Sequence, residues 1–550
     1  MDNRILFLII ILALLIGSVV MELRNRQKLK NQVRSLWGKW PKSRRFDSEK
    51  SLKKAYEQLK PYLKKDSYID DITWNDLDMY TVFSLINHTY SSIGSEALYQ
   101  RLRSYDLNDQ DQSKIESIIH FYEEHPKQRE KIQFIFAQLG KQDNNSVMKQ
   151  LTEENKKTFF HFGLYVLLGS LPIIGLLLLF TPFAPYGLMI AISSLLFNLV
   201  YSQINKMSIG SELLSMSYLV QSISSAKKLS QINHPLKEEL ANHLKPLKRI
   251  PLFSFAFRMG GNNEGEILFD YLNMFFMLPF ISYHFVYNRV KKNKAEAFKL
   301  WELLGDLESA AAISNLRLVL EDACIPQFTN QEDVRAENVY HPLINYPVDN
   351  PVKWTRNTLV SGSNASGKST YVKSVAINCI LAQTLYTCTA SSFSLKRGHV
   401  LTSMAVEDDI IEGDSYFIAE IKSLKRILSQ VKTDERCYCF VDEILKGTNT
   451  IERIAASASI IKWLDDSSSL AFVATHDIEL TELLKDICDN VHFQESVTNE
   501  KGINFDYTLR KGPAKTRNAL KLLEIMDFPQ SVVSEAIKKA SHFEQNKAWV

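Results

Sequence analysis

Three stretches of the chain are too apolar for an ordinary helix with one face in water. Ile5 to Val20 is an uncharged run of sixteen residues, slightly short for a bilayer span unless its flanking side chains snorkel. Phe159 to Phe180 and Pro182 to Tyr201 contain no Asp, Glu, Lys or Arg, and each approaches the roughly twenty residues that a membrane helix needs. The connector Thr-Pro-Phe-Ala-Pro at 181–185 predicts a tight turn, so the pair reads as a transmembrane hairpin. A buried pair in a large soluble core is the competing reading, and soluble helices of that length seldom lack a charge on every face. A further stretch, Ile267 to Val290, contains Asp270, Asn273, Pro279, His284 and Arg289; it predicts a packed amphipathic helix rather than a fourth span.

Around these runs the periodicity is helical. Leu52, Ala55, Tyr56 and Leu59, then Leu77, Tyr80 and Phe83, recur near helical spacing. Residues 203–325 continue as long helices, and Trp301 to Glu321 (WELLGDLESAAAISNLRLVLE) is a strong amphipathic case. Past Ile325, short β-branched or aromatic runs alternate with helical segments, the pattern of a parallel α/β sheet. The expected organisation is an anchor at 1–22, a basic segment at 23–50, a helical region at 51–158, the hairpin at 159–202, a second helical region at 203–325 and an α/β domain at 326–550.

The chain has 550 residues, is 45% hydrophobic and 23% charged, and carries a formal net charge of +3. A real core is therefore available, and net charge alone makes no case for nucleic acid. The distribution is more informative. Nine basic residues (Arg24, Arg26, Lys28, Lys30, Arg34, Lys39, Lys42, Arg44, Arg45) follow the first apolar run, against the single acid Glu22. Basic flanks favour the cytoplasm, and Lys156, Lys157 and Lys206 set both ends of the hairpin on the same side. The expectation is three spans with everything from residue 202 onward inside. The six cysteines show no C-x-x-C spacing, which supports neither a metal site nor a secreted disulfide framework.

The strongest chemical motif is Gly362-Ser363-Asn364-Ala365-Ser366-Gly367-Lys368-Ser369-Thr370. Asn357 to Val360 predicts a strand before it and Tyr371 to Tyr386 a helix after it, the setting that a phosphate-cradling loop requires. Glycines let backbone N–H groups converge on phosphate oxygens at a helix N-terminus. Lys368 is then placed to reach the β/γ-phosphates and Ser369 to ligate Mg²⁺. Downstream, the apolar strand Cys437 to Val441 ends in Asp442-Glu443, and Leu470 to Ala474 ends in Thr475-His476-Asp477. An aspartate at such a strand end can hold the metal, and the next carboxylate can act as base for the attacking water. His476 is read as a γ-phosphate sensor. A cleaved signal at the N-terminus would export a domain that needs cytosolic ATP, which argues that the first apolar run is an anchor.

The order of P-loop, Asp-Glu strand, Gly447-Thr-Asn-Thr450 and Ala-Thr-His-Asp resembles the ATPase domain of the MutS family, within the ABC ATPase class. Gly413-Asp-Ser415-Tyr-Phe-Ile-Ala-Glu420 is similar to the family's signature, which implies that Ser415 caps a nucleotide bound by a partner subunit and that an active site needs two chains. Tyr507 to Ala536, with Leu520 and the Phe528-Pro529 turn, is similar to the closing dimerisation helices, and His341-Pro342 to the dipeptide that opens the domain. Tyr346 or a neighbour is the candidate for stacking on adenine, with simple packing as an equal alternative. More weakly, Leu77 to Leu107 (Asn87, Thr89, Gly94, Leu102) and Asp306 to Leu316 resemble the family's helical core.

The resemblance implies a C-terminal α/β P-loop (ABC-type) ATPase domain using ATP and Mg²⁺, preceded by an all-α core and lever region interrupted by a transmembrane hairpin. It implies a homodimer through the ATPase domains and DNA as a partner, in mismatch repair or other DNA handling. The departures point elsewhere. The first 70 residues leave no room for the family's mismatch-reading and connector domains, and the hairpin stands where DNA-clamping helices would emerge. The alternative is a membrane-embedded ATPase that applies MutS-type dimer mechanics to a non-DNA partner, with the bilayer as its other contact.

Overall fold

The computed structural model describes the chain apart from residues 1–2, 42–47, 109, 144–146, 153–161, 258–263, 364–365, 405–415, 432–434, 499–501, 515–522, 524–525, 527 and 547–550. Asn364, Ala365, Ser415, Lys156, Lys157 and Leu520 therefore lie outside the described residues. The chain forms two compact units. One comprises residues 1–64, 86–100 and 110–319; the other comprises 65–85, 101–109 and 320–550.

The first unit is built of helices. Asn3–Leu36 is one continuous helix of 34 residues, so the expected anchor and much of the basic segment share a single rod, roughly 50 Å long. The apolar hairpin comprises α1 (Phe162–Leu178) and α2 (Ala184–Leu229), with Pro172 inside α1 and non-helical geometry at Ile209 inside α2. Small residues allow close approach: a Cβ on Gly175 would lie 2.6 Å from the Ala191 nitrogen, and one on Gly187 would lie 2.7 Å from the Gly175 carbonyl. This is the packing that apolar helices adopt when no hydrophobic gain drives them together.

Ile267 to Val290, read as one amphipathic helix, is instead two: α3 (Glu264–Phe275) and α4 (Leu278–Lys292). They are broken at Met277, which has φ 54°. Pro279 lies in the first turn of α4, where a missing N–H costs nothing. The strongly periodic segment becomes α5 (Lys294–Val319). Inside this unit the buried Glu308 accepts the backbone N–H groups of Tyr90 (2.6 Å) and Ser91 (3.2 Å). Tyr122 donates to the Leu307 carbonyl at 3.0 Å, and Thr89 donates to Asn87 at 2.6 Å.

The second unit is α/β. Its main sheet contains β1 (Thr358–Ser361), β2 (His399–Ser403), β3 (Cys437–Asp442), β4 (Ser469–Thr475), β5 (Asp489–His492) and β6 (Arg510–Lys511). They are ordered β6-β5-β1-β4-β3-β2. All neighbours are parallel except β6 against β5. β4 is buried along its whole length and β3 up to its last residue, as expected for parallel strands covered on both faces. A four-stranded sheet (Gln327–Phe328, Val334–Val339, Asn350–Trp354, Ser392–Leu395) joins the same unit. Its Trp354 packs against Phe440 and Phe472 with ring centroids 5.1 and 5.0 Å apart.

Residues 65–85 and 101–109, placed with the helical region by sequence pattern, fold with this sheet. Asp76 accepts the Thr402 hydroxyl (2.6 Å) and the Met404 N–H (2.9 Å), and Tyr105 donates to the Gly398 carbonyl at 3.0 Å. Five of the six cysteines are buried and all are free. The tail also differs from expectation. Arg510–Lys511 is a strand and Tyr507 lies in the loop before it; the described closing helix is Gln530–Asn546.

Candidate functional site

Strand register sets the site. Ser361 pairs with Thr475, and Asp442 with Ala474, so the carboxyl ends of β1, β3 and β4 finish at one edge, the place where α/β sheets present ligand-binding loops. The chain turns from β1 into α6 (Lys368–Thr384) through Gly362 (φ 143°) and Gly367 (φ 103°), backbone regions that glycine reaches without strain. Close approach adds to the requirement, since a Cβ on Gly362 would meet the Phe493 carbonyl at 2.6 Å.

The loop faces a cavity of about 770 Å³. Its lining includes Ser363, Lys368, Ser369 and Thr370 from the glycine loop and the start of α6, Asp442 and Glu443 from the end of β3, and Lys446, Tyr346 and Tyr507. Lys368 is buried, and its ammonium donates to the Ser363 carbonyl at 2.8 Å. Burial lowers its pKa, and the nearby carboxylates of Glu443, Asp442 and Glu495 work against that. Ser363 in turn donates to the buried Glu495 at 2.7 Å. Ser369 and Asp442 share the cavity, and no cluster of three or more His, Cys, Asp or Glu side chains suited to a metal occurs among the described residues. One hydroxyl and one carboxylate is a donor set that suits Mg²⁺, which takes few protein ligands and completes its shell with phosphate and water oxygens.

Glu443 comes directly after β3 with φ 61°, while its N–H still donates to the Ala474 carbonyl at 2.9 Å. A non-glycine residue held left-handed is a costly conformation, of the kind that clusters at working sites. Its carboxylate lies 2.9 Å from His476 Nδ1 and 3.6 Å from Lys446 Nζ. The hydrogen bond from His476 is the main cause that holds the Glu443 carboxyl down at about 2, against the opposing effect of burial. The same bond raises the His476 pKa. Beyond the imidazole, Arg453 forms a bidentate pair with Asp477 at 2.9 and 2.6 Å and approaches His476 Nε2 at 3.5 Å.

These two shifts give the ion pair a defined pH window. The depressed carboxyl contributes above its ordinary value of 4.5 and stops contributing as pH falls through about 2. The raised imidazole contributes below its ordinary 6.5 and stops as pH rises through its own elevated value. The ion pair is therefore complete in mildly acidic solution and weakens from its histidine side. In an NMR titration, His476 is expected to titrate above 6.5 in the wild type and to fall in Glu443→Gln; an unchanged His476 titration in that variant would mean the contact does not form.

The structure brings Gly362, Ser363, Ser366, Gly367, Lys368, Ser369, Thr370, Asp442, Glu443 and His476 to this edge. Gly413 to Ser415 lie outside the described residues. The helix that begins at Tyr416 packs onto the neighbouring loop: its Glu420 accepts the Lys446 N–H at 3.0 Å, and its Phe417 lies 3.1 Å from where a Gly447 Cβ would be. Asn449 caps helix Thr450–Asp465 by accepting the Glu452 N–H at 3.0 Å, a typical N-cap role. Tyr346 is 99% exposed at the cavity rim. Tyr507, which sequence reasoning assigned to the tail helices, lies 3.0 Å from where a Gly367 Cβ would sit. Asn350 pins its loop, donating to the Tyr507 carbonyl at 2.9 Å and accepting the Leu509 N–H at 2.7 Å. Lys446 and Glu495 carried no motif signal and Tyr507 only that of the tail, because only the folded backbone brings them to the loop.

Fold and loop together define a mixed α/β domain of the kind found in MutS domain V, and the family model "MutS domain V" matches residues 358–544. Over these residues, about a third of the chain, it is similar to the MutS family. It is 28% identical over 278 residues to human "MutS protein homolog 4", which is 46% of this chain and 29% of that protein. It is 32% identical over 235 residues to "DNA mismatch repair protein MutS" of Lactobacillus acidophilus, covering 40% of this chain and 27% of that protein. The chain thus matches less than a third of the length of either relative.

Proposed function

We propose that this chain is a membrane-tethered MutS-type ATPase that binds ATP with Mg²⁺, hydrolyses it to ADP and phosphate, and couples that cycle to DNA handling as a homodimer. The observation that carries the reading is the convergence of Lys368, Ser369, Asp442 and Glu443 on one cavity at the carboxyl ends of the strands. In this reading Lys368 and the backbone of 362–370 hold the phosphates, and Ser369 with Asp442 holds the metal. Bound there, Mg²⁺ would supply neutralisation of phosphate charge. Glu443 stays ionised through the neutral range and accepts a proton from the attacking water, while His476 orients that carboxylate and senses the terminal phosphate. Tyr346 and Tyr507 offer aromatic faces to the base. Ser415 acts across the dimer.

The membrane half of the proposal is supported by composition and exposure. α2 is the one helix among the described residues that is long and apolar enough to cross a membrane, and α1 is a shorter apolar helix. Both turn large apolar side chains outward, including Leu177, Met189, Leu196 and Val200, a surface that water does not favour. Three spans with a cytoplasmic ATPase domain is the arrangement that the flanking charges support.

DNA enters through the names of the relatives, so its test is direct. With the full chain in nanodiscs, duplex binding is expected to weaken linearly in log–log form as salt rises, and to be tighter for a mismatched duplex. Absence of binding at low salt would leave the second reading, an ATPase acting on a non-DNA partner, for which the uncharged hairpin is the specific support.

A further inference from the structure

The break between α3 and α4 lies against the hairpin. Asp270 is within electrostatic reach of Lys206, Met274 Sδ accepts the Gln203 amide at 3.7 Å, and the Phe275 carbonyl meets Asn198. α3 therefore climbs antiparallel to α2, toward the hairpin turn. α4 descends along α1: the Phe276 carbonyl occupies the space beside Gly169, Phe280 stacks on Tyr165 at 5.0 Å, and His284 stacks on Phe162 at 4.2 Å. The two helices thus form a helical hairpin of their own, with its tip at Phe275–Met277. That tip is level with Gly169, seven residues into α1, or roughly 10 Å along the helix.

Asn198 explains how such a break is tolerated there. Pro172 has no N–H, so the Leu168 carbonyl loses its intrahelical donor. The end of α3 leaves the Phe275 carbonyl without one as well. The fully buried Asn198 amide donates to both, at 2.7 Å each. In an apolar medium, irregular backbone survives only where the protein itself satisfies its polar groups. One side chain does this for two breaks. The segment 271–288 contains no Asp, Glu, Lys or Arg, and Leu252, Phe255, Tyr271, Leu272 and Phe285 present exposed apolar surface.

We propose that α3 and α4 enter the phospholipid bilayer beside the hairpin as a re-entrant helical pair, with its tip clamped by Asn198. The inference rests on the reading of α1 and α2 as membrane-embedded. Entry of this kind gives the outward apolar residues an acyl-chain environment, while the basic end of α4 (Arg289, Lys291, Lys292) returns to the headgroup side, where positive charge is favoured.

The test is carbene footprinting of the full chain in nanodiscs with a lipid-soluble diazirine, read by mass spectrometry. Adducts are expected on 188–200 of the hairpin and also on Leu252, Phe255, Tyr271, Leu272 and Phe285. Adducts on the hairpin, with those five residues no more labelled than the helix Gln110–Glu124, would overturn the re-entrant pair and leave the membrane reading standing. Labelling of neither segment would overturn both. Met274, Met277 and Phe280 are buried in the clamped tip, so in Asn198→Leu adducts on Met274 to Ile281 are expected to rise, with those on Leu188 to Leu196 retained. An unaltered pattern at Met274 to Ile281 would overturn the clamp. The wild-type footprint decides the pair even if this variant fails to fold.

Discussion

Glu443→Gln is expected to bind ATP about as well as the wild type and to hydrolyse it between roughly a hundredfold and ten-thousandfold more slowly, the span that a positioned general base contributes. The geometry separates the two effects. Glu443 stands 2.9 Å from His476 and 3.6 Å from Lys446 at the end of β3, apart from the glycine loop that holds phosphate. Glutamine preserves the shape and can still accept from the imidazole, but it cannot take up the proton from water. Left-handed φ at this residue is a property of the backbone, and glutamine tolerates it no worse than glutamate. Single-turnover hydrolysis, measured alongside nucleotide affinity in nanodiscs, gives both quantities. Turnover that survives the substitution would remove Glu443 from the role of base.

Lys368→Ala is expected to act on binding itself, lowering ATP affinity between roughly tenfold and a hundredfold, as loss of a charge-assisted hydrogen bond in a shielded site does. Turnover should fall further, since phosphate charge left uncompensated is costly beside Asp442 and Glu443. Lys368 is buried and its ammonium is already directed at the Ser363 carbonyl, so little ordering is needed to bring it onto a phosphate oxygen. Its lowered pKa reflects burial, and an anionic ligand reverses that penalty. Its contact is local to the loop, five residues back along the chain, so folding should be retained. Isothermal titration with ATP and Mg²⁺ measures the change, and an unaltered affinity would withdraw the loop assignment.

The sequence by itself determined the elements whose causes are local. Strand, glycine loop and helix succeed one another within 358–384, and their hydrophobic pattern and glycine spacing specify that order without help from the rest of the chain. The strands that end in Asp442 and Thr475 were legible for the same reason, as unbroken apolar runs with polar residues at their ends. So were the uncharged stretches of the hairpin, although its second helix does not stop near Tyr201 but runs on through Lys206 and Glu212 to Leu229. The tertiary structure decided what joins them. Parallel register aligns Ser361, Asp442 and Thr475 across gaps of many residues; only then does His476 come within reach of Glu443. Tyr507 reaches Gly367 through a loop pinned by Asn350, although its sequence context resembled a helix start. Residues 65–85 join the α/β unit because the Asp76 carboxylate finds donors at Thr402 and Met404, far along the chain. The helix expected across 267–290 breaks at Met277, where Asn198, far along the chain, satisfies the Phe275 carbonyl. Periodicity and motif spacing record the energetics of neighbours in the chain, whereas register, close approach and satisfaction of exposed backbone depend on partners that only folding brings together.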